Sequence, residues 1–360
     1  MNNGIASPTG RRRRVSVCWS LVCIALVMLT GSMKLHAHRN GHGAEHAAPA
    51  VAPAGATASE LIATLQSFRV GGEPSALDRA EILAARLLTA APNDLRARYL
   101  AARVAQAAHE FTAALEHLQV VLYARPADGP ANALAASILT LQGQGGQALA
   151  HCRQARIDWL ERAACRLRAR QVMDDSPGER DLGRFERLLA ALPNGVAPRQ
   201  RAWLFATAGD LAAQLNLWPR ALKHYQSAQA LEPATRHQAA LAEALLQLRR
   251  PDDVLALIGA GTTAFGLRVK RARATRALGQ STDSALESEV SALLRLGDLA
   301  HARELGEYLL YVAEDAVRAE QILRAGMSLQ REVADVRLLR EAASRLAGLS
   351  HTLPEFIGAN

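Results

Sequence analysis

The stretch "LNLWPRALKHYQSAQALEP", Leu215–Pro233, holds no paired carboxylates, no nucleophile beside a base and no Gly-rich phosphate loop. Its apolar and small residues nevertheless fall at helical intervals: Trp218, Ala221, Leu222, Tyr225 and Ala228, closed by Pro233. The same pattern recurs upstream. Ala221, Tyr225, Ala228 and Pro233 stand where Ala114, Leu118, Val121 and Pro126 stand in "TAALEHLQVVLYARPAD". Laid against itself at a period of 34, the chain aligns Ala80, Ala114 and Ala148, and also Pro92 and Pro126.

Each of these amphipathic segments follows another, in "LRARYLAARVAQAAHEF", "PANALAASILTLQGQ" and "AWLFATAGDLAAQLNLW", whose matching small residues are Ala102, Ala136 and Gly209. The unit is therefore two helices. Small residues facing each other let the helices approach closely, and larger ones such as Leu118 and Tyr225 fill the seam to the next pair. Pro126 and Pro233 lack an amide hydrogen and close the second helix. One pair cannot bury its own apolar face, so several must stack.

This pattern resembles the tetratricopeptide repeat family, whose unit is a helix–turn–helix of this length. The expected fold is all-α, a right-handed α-solenoid of stacked helix–turn–helix repeats. Residues 61–94, 95–128, 129–162 and 202–235 match well. Residues 163–201 read as a degraded copy interrupted by "DDSPGERD" and "LPNGVAPRQ". After 235 come one pair with a truncated second helix and two further pairs, at 284–315 and 316–348.

Composition agrees with helices packed over small side chains. The 360 residues are 49% hydrophobic but only 4% aromatic, which disfavours a sheet core. The net charge is +8, and its distribution matters. Six bases (Arg11, Arg12, Arg13, Arg14, Lys34 and Arg39) against Glu45 leave residues 1–59 at +5, so the other 301 carry only +3. Interleaved acids and bases on helices describe a solvated surface, not a phosphate-binding stripe, and nucleic acid is not an expected partner.

The first sixty residues read as an address and a tether. After a basic region at 1–14, Val15–Met33 is nineteen residues without charge, long enough to cross a bilayer core of about 30 Å. The arginines keep the N-terminus cytoplasmic and place the body outside. A cleaved signal peptide is the alternative, ending at Ser32 or Ala37. Residues 34–59 form a linker rich in His, Ala and Pro, 60–348 the repeat domain and 349–360 a tail. Arg-rich, Lys-poor usage suggests a GC-rich bacterium, hence an inner-membrane protein with a periplasmic body, or a soluble periplasmic one after cleavage. Within the linker, His36, His38, His42 and His46 could bind Cu, Ni or Zn weakly, and a metal-handling accessory role is the alternative function. A polar spacer is the plainer reading.

No HExxH, P-loop, dinucleotide fingerprint or GxSxG occurs, and "GQGGQ" at Gly143 falls in an inter-helix turn. The expected role is binding proteins or peptides, not catalysis, with no cofactor. By repeat register the inner face of the solenoid carries Arg96, Tyr99, Arg103 and Gln106, then Ser137 and Thr140, then Arg168 and Gln171, then Trp203 and Asp210. The family's carboxylate-clamping Lys/Asn set is missing. Cys152 takes the seam position of Leu118 and Tyr225, so a buried thiol is expected there, with a bond to Cys165 as the alternative.

Overall fold

The computed structural model describes residues 54–352, and among them all regular structure is α-helical. The helices come in consecutive pairs: α1 (Ala54–Gly71) with α2 (Pro74–Ala90), α3 (Leu95–Ala107) with α4 (Phe111–Ala124), and α5 (Gly129–Leu141) with α6 (Gly145–Gln154). Next come α7 (Trp159–Gln171) with α8 (Glu179–Ala190), then α9 (Pro198–Gln214) with α10 (Trp218–Leu231). The short α12 (Pro251–Leu257) follows α11 (Thr235–Gln247), as the truncated pattern there implied. After α13 (Phe265–Ala277) and α14 (Ser284–Leu296) come α15 (Ala302–Tyr311), α16 (Ala316–Gly326) and α17 (Val333–Thr352).

The small residues of the repeat do what close approach requires. Ala80, Ala102, Ala114, Ala148 and Ala221 are fully buried. A methyl group at Gly209 would stand 2.5 Å from the Tyr225 ring, which is why α9 and α10 can touch only with glycine there. Leu118 and Tyr225 fill the adjoining seams.

Local chemistry sets the helix ends. Asp94, Asp128 and Asp158 open α3, α5 and α7 by accepting backbone N–H groups of their first turns. Between the helices of a pair, the chain turns through a left-handed residue: His109, Gly143, Asn216 and Arg249, with φ of 61°, 74°, 58° and 57°. At each turn the next amide bonds back across the helix end, as Glu110 N to Ala105 O (2.8 Å) and Leu217 N to Ala212 O (2.9 Å).

Three expectations are corrected. Helix α1 begins at Ala54, inside the stretch taken as linker, because its alanines are strong helix formers. In the C-terminal third, α15 pairs with α16 rather than with α14. A methyl at Gly306 would meet Leu323 at 2.4 Å, and one at Gly326 would meet Ala302 at 2.4 Å, so small residues mark that seam. Cys152 is not a buried thiol: it is bonded to Cys165, with 5.7 Å between the two Cα atoms on consecutive helices.

The stack also closes on itself. At one meeting point the α1–α2 turn reaches α11 and the α12–α13 loop. Thr235 Oγ1 donates to Val70 O (2.8 Å), Thr263 bonds Glu73, and Arg69 pairs with Glu232. At the other, the α16–α17 turn lies against the turns that end α3 and α5. Arg331 N donates to Leu141 O (2.7 Å), and Gln330 bonds His109. Among the described residues no helix is long and apolar enough to cross a membrane, and Val15–Met33 lies outside them.

Candidate binding channel

First helices of successive pairs line the space enclosed by this closure. Two adjoining cavities of about 670 and 510 Å³ share Ser137, Thr140, Arg168, Trp203, Arg236, Arg303, Glu304 and Glu332. Tyr99, Arg103 and Gln106 face the first, Gln171 and Asp210 the second, and Ser137, Thr140, Arg168 and Trp203 both. Arg96 does not belong with them. It occupies the capped first turn of α3, where its side chain is exposed, and it lines neither cavity.

The second cavity is walled by groups that satisfy each other. Glu243 accepts from Lys270 Nζ (2.5 Å), Arg273 Nη1 (3.0 Å) and Arg337 Nη2 (3.2 Å). Glu307, 3% exposed, accepts from the same Lys270 and Arg273. Burial alone would raise the Glu243 carboxyl, but Lys270, Arg273 and Arg337 outweigh it and hold it well below the ordinary carboxylate range. The Arg273 guanidinium lies 3.6 Å from the Tyr311 ring centroid, and that of Arg337 4.8 Å from the Trp218 ring centroid.

Arg168 and Asp210, inner-face residues by register, are bonded to each other (2.6 Å), and Tyr225 Oη donates to the other Asp210 oxygen (3.0 Å). Burial raises the Asp210 carboxyl despite Arg168 beside it. Both contacts belong to ordinary stacking, the first between neighbouring pairs (α7 to α9) and the second within the α9–α10 pair.

The first cavity is different. Arg69 on α1, Arg199 on α9 and Arg236 on α11 converge on one carboxylate, Glu232, which is buried. Arg236 Nη2 donates at 3.1 Å, while Arg199 Nε stands 3.7 Å away. Arg103 on α3 joins this group and has no acidic partner among the described residues. Burial, then the Arg69 guanidinium, bring Arg236 down to about 10. Burial also lowers Arg69 and Arg103, and Arg199 adds to both. One nitrogen of Arg69, Nη1, is buried without a hydrogen-bond partner. Trp203 and Tyr99 stand in the same cavity.

Sequence reasoning named Arg103, Tyr99 and Trp203 but missed Arg69, Arg199, Arg236 and Glu232. Averaging charge over the body as +3 concealed their concentration. No spacing along the chain announces it, since the four arginines come from four helix pairs, on α1, α3, α9 and α11. Among the described residues no cluster of His, Cys, Asp or Glu could hold a metal ion, and His36, His38, His42 and His46 lie outside them.

No protein-family model matches the chain, and no curated protein matches it. Solved structures similar to it include a human IFIT1 dimer with PPP-AAAA, at 14% identity, TM-score 0.44, covering 76% of this chain and 68% of that one. A thermophilic tetratricopeptide repeat protein from Thermus thermophilus is similar at 23% identity, TM-score 0.32, over 62% of this chain and 98% of that one. A tetratricopeptide repeat protein from Parabacteroides merdae is similar at 13% identity, TM-score 0.36, over 80% and 99%.

Proposed function

We propose that this chain is an exported, membrane-tethered scaffold of a bacterial envelope that holds a segment of a partner protein in the channel enclosed by its helix pairs. The observation that carries the reading is the first cavity. Arg103 and Trp203 both face it, Trp203 with part of its ring packed against the core, and Arg and Trp are the side chains that most often anchor interfaces. The residues lining the channel bind and orient; none is arranged as a nucleophile beside a base.

Tethering rests on Arg11–Arg14 beside the uncharged Val15–Met33. A photo-crosslinking residue placed at Trp203 in the full chain, in its native membrane, should capture a discrete partner. The same residue at Tyr123, 91% exposed on α4, should not. Equal labelling from both positions, or capture from Tyr123 alone, would put the binding surface elsewhere. Protease added to spheroplasts should degrade the repeats, and a protected body would show the orientation to be wrong.

A further inference from the structure

We infer that the first cavity is an anion site, built to take the acidic end of a peptide segment whose remainder lies along the second cavity. The inference rests on the channel reading above and names the chemistry of its ligand.

Charge bookkeeping on the residues present leaves a deficit at one place. Arg69, Arg199 and Arg236 meet the single carboxylate Glu232, and Arg103 lines the same cavity beside Arg69 and Arg199. Folding alone gives no reason to assemble such a group, because each added guanidinium costs desolvation and repels its neighbours. The lowered proton affinities of Arg69, Arg103 and Arg236 express that cost, and acceptor oxygens placed among them would relieve it. The buried Arg69 Nη1 still has a hydrogen bond to give. Guanidinium forks match carboxylate oxygens two by two, so a run of acidic side chains is the fitting complement.

The channel is polarised, and this selects among anions. In its second cavity Asp210, Glu243, Glu304, Glu307 and Glu332 stand against Arg168, Arg236, Lys270, Arg273, Arg303 and Arg337, so charge there is nearly balanced, whereas Arg69, Arg103 and Arg199 are added only in the first. A uniformly charged strand such as a nucleic acid would meet a surplus of cations along only one half of the channel. A peptide that carries its carboxylates at one end matches this, and offers apolar side chains to Trp203 and Trp218.

The test uses the purified full chain in detergent and a fluorescent short peptide with consecutive glutamates at one end and apolar residues at the other. Anisotropy should show binding that weakens as salt rises. The matched glutamine peptide should bind at least about tenfold more weakly, as should the glutamate peptide to Arg103→Gln. Arg199→Gln, at a side chain 58% exposed, gives the same reading without risk to folding. Equal affinity for the two peptides, no response to either substitution, or no binding at all overturns the inference. Tighter binding of pyrophosphate or an oligonucleotide overturns it in favour of a phosphate ligand. Crosslinking from Trp203 that survives Arg103→Gln and Arg199→Gln would leave the channel reading standing while the anion site falls.

Discussion

Arg168 on α7 and Glu332, just before α17, face each other across the channel, with 4.0 Å between Nη2 and Oε1. Glu332 also bonds Arg303, which is held in turn by Asp335. One carboxylate thus ties a middle repeat to the last two, where repeat arrays ordinarily join only neighbours. Glu332→Ala should lower stability by about 1.5–3 kcal/mol, since it strips a charged hydrogen bond from Arg303 and an ion-pair partner from Arg168. Limited proteolysis should then cut near 327–335, and an unchanged digestion pattern would show that this contact does not hold the closure.

Acid should loosen the same region. Burial would raise Glu243 and Glu332, yet their arginine and lysine neighbours hold both below the ordinary value of about 4.3. Their stabilisation is complete above that unfolded value and is lost as pH falls through the lower folded ones. Asp210 acts with the opposite sign, because burial raises it. Melting temperature should therefore fall below about pH 4, and Glu243→Gln should flatten that fall. A curve unaltered by the substitution would remove Glu243 from the acid transition.

Gly209→Ala should destabilise by about 1–3 kcal/mol, since the new methyl would sit 2.5 Å from the Tyr225 ring. Ala221→Leu should do the same across the same seam. Gly259→Ala, with nothing within 4 Å, should stay within about 0.5 kcal/mol. Thermal melts of the three rank them directly, and a neutral Gly209→Ala would mean that α9 and α10 can separate at little cost.

The Cys152–Cys165 bond closes a short loop between α6 and α7. Reduction, or Cys152→Ser, should cost about 2–4 kcal/mol by freeing that loop in the unfolded chain. Melts with and without reductant measure it, and Cys152→Ser should then show no further response to reductant. An oxidising compartment is where such a bond persists, which accords with the export proposed above.

The sequence by itself determined the unit: a helix pair of about 34 residues, its small seam residues, its closing prolines and the stacking of its copies. These are legible because each depends on side chains within one repeat or its neighbour. The inner-face positions followed from the same register, and Tyr99, Arg103, Gln106 and Trp203 line the channel, while Arg96 falls outside it. In the C-terminal third the small residues are displaced to Ala302, Gly306 and Gly326, so counting periods slipped by one helix. Tertiary structure alone decided the closure and what it encloses. Curvature is the sum of small rotations between pairs, and only that sum brings Arg69 onto Glu232 and Arg103 beside Arg199, or sets Glu332 against Arg168. A period describes neighbours, whereas the charge of a channel is set by residues that become neighbours only after the whole stack has turned.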